Sequence, residues 1–256
     1  MSRRLTVAFI VLAVAAAMLF VRLGFWQLSR LAERRRFNAL VISRLDSAVV
    51  PLARLPRDTA LASFRRVTLE GQWDETHELV LMGRSHEGSP GVHLVTPLRI
   101  PGNDTAVLVN RGWAYAPDAG TVDQGRWRDP LDSAQVLGFV TALPSRLPGA
   151  TSAGALPRVR WIDRSEVERW AGYPVFPFVV VRTVDSLAVA ARKDSTPAPL
   201  PTPALDEGPH QSYAIQWFSF AAIALIGVPV FLLARAGDAE RARRVPAAPR
   251  MPGRGE

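Results

Sequence analysis

The chain has 256 residues, 48% of them hydrophobic and 21% charged, with 18 Gly, 21 Pro and no Cys. That balance is too apolar for a disordered protein and implies one ordinary domain with something added. The lack of Cys excludes a disulfide framework, a c-type haem attachment motif, a thiolate zinc site and a Cys-based copper carrier. The net charge of +8 is almost wholly arginine, Lys193 being the only lysine. Its scatter beside apolar runs reads as membrane topology, not as a nucleic-acid footprint.

From Leu5 to Val21 the chain carries no charge, and after Arg22 the apolar character continues through Trp26, long enough to cross about 30 Å of hydrocarbon. Arg3 and Arg4 before it and Ala15 to Ala17 within it also fit a cleaved secretory signal, and either reading exports the middle of the chain. A second uncharged run, Tyr213 to Ala234, opens on crowded aromatics, as the membrane-water interface favours. Pro229 is expected to kink it without preventing insertion. The tail after it holds six Arg (235, 241, 243, 244, 250, 254), while Asp206 and Glu207 precede it. This asymmetry places both termini in the cytoplasm and the middle outside, although Arg22, Arg30 and Arg34 to Arg36 give the first span a conflicting local vote. The expected order is residues 1–26 as a short cytoplasmic N-terminus and first helix, 27–196 as an extracytoplasmic β-rich domain, 197–209 as a Pro-rich spacer, 210–234 as the second helix and 235–256 as an Arg-rich cytoplasmic tail. The inner membrane is the expected location.

The middle is strand-rich. Val67-x-Leu69-x-Gly71, Val92-x-Leu94-x-Thr96-x-Leu98-x-Ile100 and Val136-x-Gly138-x-Val140 alternate, while Leu79 to Leu81 and Ala106 to Val109 are continuous apolar runs suited to strands buried on both faces. Turns are expected at Gly88-Ser89-Pro90-Gly91, at Pro101-Gly102-Asn103-Asp104 and at Asn110-Arg111-Gly112. One short helix is signalled by the capping-box spacing of Asp163 and Glu166, with Val167 and Trp170 on one face and Gly172 as its stop. The fold class is α+β, two terminal transmembrane helices flanking a β-rich domain. Pro144 to Pro157 reads as a mobile loop.

Enzyme signatures fail. His77-Glu78 and His86-Glu87 begin like a zinc motif, but the positions four on are Leu81 and Pro90. There is no nucleophile elbow, phosphate loop or dinucleotide fingerprint, so the chain reads as a non-enzyme, and His77, His86 and His93 as surface or hydrogen-bonded residues. The unusual chemistry lies at the two membrane borders. His210, Tyr213 and Trp217 recur at i, i+3 and i+7 on one helical stripe, and Trp26 and Arg30 close the first span. A ligand with a metal centre and a flat apolar body suits that stripe, with Arg30 or Arg22 pairing its carboxylates. An aromatic belt with a solvated histidine fits the same residues, and the residues by themselves favour the belt.

Four motifs in register add to this. Leu23-Gly24-Phe25-Trp26-Gln27-Leu28-x-Arg30, Gly91-x-His93-x-Val95-Thr96-Pro97, Leu108-Val109-Asn110-Arg111-Gly112-Trp113 and Pro209-His210-x-x-Tyr213-Ala214-x-Gln216-Trp217-Phe218 resemble the SURF1 family of cytochrome c oxidase assembly factors across nearly the whole chain. The resemblance implies a two-helix membrane protein that acts in maturation of the haem-copper oxidase catalytic subunit. That subunit, membrane lipid and the haem a synthesis machinery are the expected partners, nucleic acid is not, and the family's bacterial members are associated with noncovalent haem a. It maps the family histidine onto His210 as axial iron ligand, with Tyr213, Trp217, Trp26 and Arg30 around it. A cofactor-free scaffold for the oxidase subunit stays open, and so does a membrane-anchored ligand sensor, against which the 22 residues after Ala234 weigh as too few for an output module.

Overall fold

The computed structural model describes residues 3–127, 133–143, 157–183, 197–203 and 205–244. It divides into two compact units, one formed by residues 1–39 with 205–256 and the other by residues 40–204.

The first unit is a helix pair. Helix α1 spans Arg3–Leu45 and α4 spans His210–Arg244. Both are long and apolar enough to cross a membrane, and only 11% and 6% of their most apolar windows are buried, so neither is the core helix of a soluble protein. The apolar run ends at Trp26, where the sequence suggests the first helix stops; the helix itself runs on to Leu45. Along α1 the covered positions include Ala17, Phe20, Gly24, Gln27, Leu31, Arg34 and Asn38, a row spaced alternately three and four apart, with Val21 and Leu23 partly covered beside it. On α4 they include His210, Ala214, Trp217, Ala221, Ala224 and Val228, with Phe218 and Leu232 partly covered as well. That is the spacing of a two-helix seam. The pair is antiparallel: His210 meets Gln27 at one end, and Phe231 meets Phe9 at 5.9 Å toward the other. Small residues set the approach, since a Cβ on Gly24 would stand 2.6 Å from the Phe218 ring.

The second unit holds eight strands, β1(Val50–Pro51), β2(Arg66–Trp73), β3(Leu79–His86), β4(Ser89–Arg99), β5(Ala106–Tyr115), β6(Ser133–Ala142), β7(Arg158–Val159) and β8(Val175–Arg182), with short helices α2(Thr59–Ala62) and α3(Arg164–Ala171). They form one sheet in the order β1-β2-β6-β8-β5-β4-β3-β7. A further pairing of Gln72 and Trp73 with Arg99 and Leu98 closes β2 onto β4, so that β2, β6, β8, β5 and β4 make a barrel. Its interior is filled by Val67, Leu69, Leu98, Val107, Val109, Val136, Val140, Phe178 and Val180. On the outer face Val167 of α3 packs with Leu79, Ala106, Leu108 and Val179. Residues 106 to 109 thus alternate between two cores, which is why this run has no polar position. The α3 signals hold: Asp163 accepts from the Ser165 and Glu166 amides, and Gly172 ends the helix in the left-handed region.

Two turn expectations are corrected. The hairpin before β4 turns at Glu87 and Gly88, both at positive φ, and Ser89 to Gly91 already belong to the strand because His86 pairs with Ser89 in a two-residue loop. Asn110-Arg111-Gly112 is no turn; it lies inside β5. Leu94 pairs with Gly112 and Val95 with Asn110, leaving Arg111 as the extra residue of a β-bulge. The turn chemistry is present but spent differently: Asn110 Oδ1 accepts from the Gly112 amide at 3.1 Å, and Gly112 takes φ +132. Ala198 in the Pro-rich stretch exchanges two backbone hydrogen bonds with Trp113, each 2.7 Å. The expected loop from Pro144 to Pro157 falls almost wholly outside the described residues.

The bulge aims Arg111 at a buried polar cluster. Its Nη1 donates to Glu78 Oε2 at 3.1 Å, with the two side chains 2% and 5% exposed. Thr96 Oγ1 donates to the same oxygen at 2.6 Å, Gln124 Nε2 to Oε1 at 3.3 Å, and the guanidinium lies 5.2 Å from the Trp73 ring centroid. Burial this complete makes Arg111 part of the fold.

Candidate functional site at the helix-pair border

The site grows from the seam. Gln27 is buried at a position where its neighbours along the helix seam, Gly24 before and Leu31 after, are apolar. Its Oε1 lies 2.8 Å from His210 Nδ1. His210 is the first residue of α4, and the preceding Gly208 takes φ +68. A Cβ on Gly208 would stand 3.5 Å from both Cδ2 and Nε2 of the His210 ring, an ordinary contact distance, so residue 208 lies beside the Nε2 edge and it is its positive φ that favours glycine. His210 lines a groove of about 410 Å³ with Arg30, Glu33, Arg34, Phe37, Asp206, Glu207 and Gly208.

Residues 205 to 208 are tied down along α1. Asn38 Nδ2 donates to the Leu205 and Asp206 carbonyls at 2.9 and 3.1 Å, and Arg34 Nε to the Asp206 carbonyl at 3.0 Å. Arg35 donates twice to Glu207, both at 2.8 Å, a bidentate fork that holds this exposed carboxyl below its ordinary range. The chain therefore enters α4 from a fixed direction, which sets where the imidazole sits. Arg30 pairs with Glu33 at 2.6 Å within the groove.

Below the groove the aromatic residues divide. Trp217 stacks on Phe20 of α1 at 5.7 Å and meets Phe220 edge-on at 5.9 Å, and Phe20 also touches Phe220 at 5.8 Å. Tyr213 stands four residues before Trp217 on the same side of α4. Phe218 lies over Gly24 in the seam, with its ring also against Phe25 at 5.4 Å. The structure thus brings His210 and Arg30 into one groove and Trp217 into the seam below it. Trp26 and Tyr213 are 53% and 45% exposed on the helix surfaces. Gln27, Arg34, Asn38, Asp206 and Glu207 do not stand out in the sequence as site residues. The alternating spacing from Ala17 through Asn38 is the signal that could reveal the first three, because it marks Gln27 and Asn38 as polar side chains on a covered face.

The other histidines have local partners. His77 Nδ1 is 2.8 Å from Asp74 Oδ2, to which Tyr173 also donates at 2.6 Å. Burial opposes ionisation of Asp74, but these hydrogen bonds outweigh it and lower its pKa. His93 Nδ1 is 3.2 Å from Asn110 Nδ2; burial, then the Arg84 and His86 charges, push its pKa down to about 4, so it is neutral near pH 7. His86 packs beside Trp113 at 5.3 Å.

Comparison with known proteins sets this geometry in a family. The model of the SURF1 family matches residues 14–222. A SURF1-like protein of Monosiga brevicollis is 27% identical over 240 residues, 88% of this chain and 87% of the relative. One of Rickettsia bellii is 26% identical over 208 residues, covering 80% and 82%, and surfeit locus protein 1 of Takifugu rubripes is 23% identical over 226 residues, covering 78% and 87%. The family match takes in the Gln27 border, the barrel strands and the His210 border in one alignment, and the chain belongs to the SURF1 family.

Proposed function

We propose that this protein is a membrane-anchored, non-enzymatic assembly factor for a haem-copper oxidase, holding haem a noncovalently at the outer border of its helix pair and passing it to the catalytic subunit. The observation that carries the reading is the His210 ring: Nδ1 is engaged by Gln27, Nε2 lies beside a glycine, and the residue lines a groove that also holds Arg30 and Arg34. A histidine placed only as a helix-border residue in water needs none of these features. The residues fit such a group. His210 offers one imidazole nitrogen, Arg30 and Arg34 offer guanidinium donors to carboxylates, and Trp217, Phe20 and Phe220 offer an apolar ladder running into the span. Bound haem a supplies a redox-active iron with a position for an axial nitrogen. The chain's part is to orient that nitrogen, neutralise the carboxylates and keep the flat face against aromatic rings. The lack of Cys accords with handling haem rather than copper, which favours soft sulfur ligands.

Both termini are placed in the cytoplasm, from the arginine asymmetry about the second span. A reporter that works only outside the cytoplasm is expected to be active when fused after Pro144 and silent after Gly253; the reverse pattern contradicts this placement. Trp217→Ala is expected to weaken haem binding by about 1 to 3 kcal/mol, roughly 5- to 200-fold, through lost apolar contact. Titration of the extracted protein with haem a measures it. Affinity equal to wild type would remove Trp217 from the site.

A further inference from the structure

A leucine at position 27 would pack this seam as well as the glutamine does, and burying a carboxamide there is unfavourable unless its hydrogen bond is made. The bond it makes is specific. Gln27 Oε1 is 2.8 Å from His210 Nδ1, and an amide oxygen can only accept, so the bond exists only when Nδ1 carries the proton. Nε2 then holds the lone pair, on the ring edge beside Gly208. In free histidine the opposite tautomer is the more populated, so the contact works against the ring's intrinsic preference.

We infer that Gln27 is a positioning residue for His210: it selects the Nδ1–H tautomer, fixes the ring plane and sets how strongly Nε2 donates to a metal centre. This rests on the reading of His210 as a haem ligand. Were iron held at Nε2, the Nδ1–H would become more acidic and Gln27 Oε1 would accept from it more strongly, raising the donor strength of the ring. A carboxylate in that place would push the ring toward imidazolate and hold iron harder. A neutral amide keeps the bond moderate, as suits a ligand that must later be given up.

Full-length protein extracted from membranes of cells that make haem a provides the test, using Gln27→Leu and Gln27→Glu. Gln27→Leu is expected to be inserted at wild-type level and to bind haem a about 10- to 100-fold more weakly. Gln27→Glu is expected to keep haem and to show a lower iron midpoint potential than wild type. A Gln27→Leu protein with wild-type affinity and potential would overturn the inference. A second readout needs no haem: with ¹⁵N-labelled histidine above the titration of the ring, His210 is expected to be protonated at Nδ1 in the wild type and to lose that preference in Gln27→Leu. A wild-type ring protonated at Nε2 would also overturn the inference. Should the tautomer follow Gln27 while no variant and no wild type takes up haem, the positioning of the ring stands and the ligand reading falls.

Discussion

His210→Ala is expected to abolish the bound-haem signal, or to reduce it at least about 100-fold, while leaving membrane insertion and protein level intact. The imidazole lines the groove beside Gly208, and in the proposed role it is the group that would hold the iron. Removing it leaves Gln27 Oε1 without its partner, a cost confined to one carboxamide at the end of the seam. The apolar length that inserts α4 is untouched. His93→Ala is the control. Its ring sits in β4 against Asn110, so the barrel can lose stability while haem per folded protein stays the same. Full haem with an unaltered spectrum in His210→Ala would show the ligand assignment to be wrong.

Arg111→Ala is expected to destabilise the barrel unit by about 3 to 5 kcal/mol, because it leaves the Glu78 carboxylate buried with its charge uncompensated. Against the roughly 5 to 15 kcal/mol that hold a domain folded, the variant is expected to accumulate poorly. Thr96 and Gln124 still donate to Glu78, but neutral donors do not balance a charge at 5% exposure. Replacing both partners with apolar residues, Glu78→Leu with Arg111→Leu, is expected to restore much of the loss, since no buried charge remains. Denaturant unfolding of the full-length protein and its variants measures both effects. Wild-type stability in Arg111→Ala would show that the pair contributes nothing to the fold.

The strands are legible in the sequence because each alternating run has one buried face, as in Val67, Leu69 and Gly71 of β2. The helix α3 is legible because its cap, its apolar spacing and its stop are all local. Closure of the barrel is not legible: it depends on Gln72 and Trp73 meeting Arg99 and Leu98, a pairing that no local pattern encodes. Asn110-Arg111-Gly112 reads as a turn because Asn and Gly favour turns, yet its outcome is decided by Glu78, 33 residues away. At the candidate site, His210 and the aromatic ladder stand out as residue types at helical spacing. Gln27 does not, since its significance comes from a partner 183 residues on. Tyr213 shares the stripe of His210 and Trp217 by spacing, but the covered seam position beside it is Ala214, because close helix approach selects small residues there.

The absorption spectrum of the wild-type protein, extracted intact from membranes of cells that synthesise haem a, tests the proposed role most directly. Haem a bands are expected to remain with the protein through purification, at close to one haem per chain, and to disappear in His210→Ala. Well-folded, membrane-inserted wild-type protein from the same cells with no haem bands would contradict the proposed role and leave a cofactor-free scaffold for the oxidase subunit in its place.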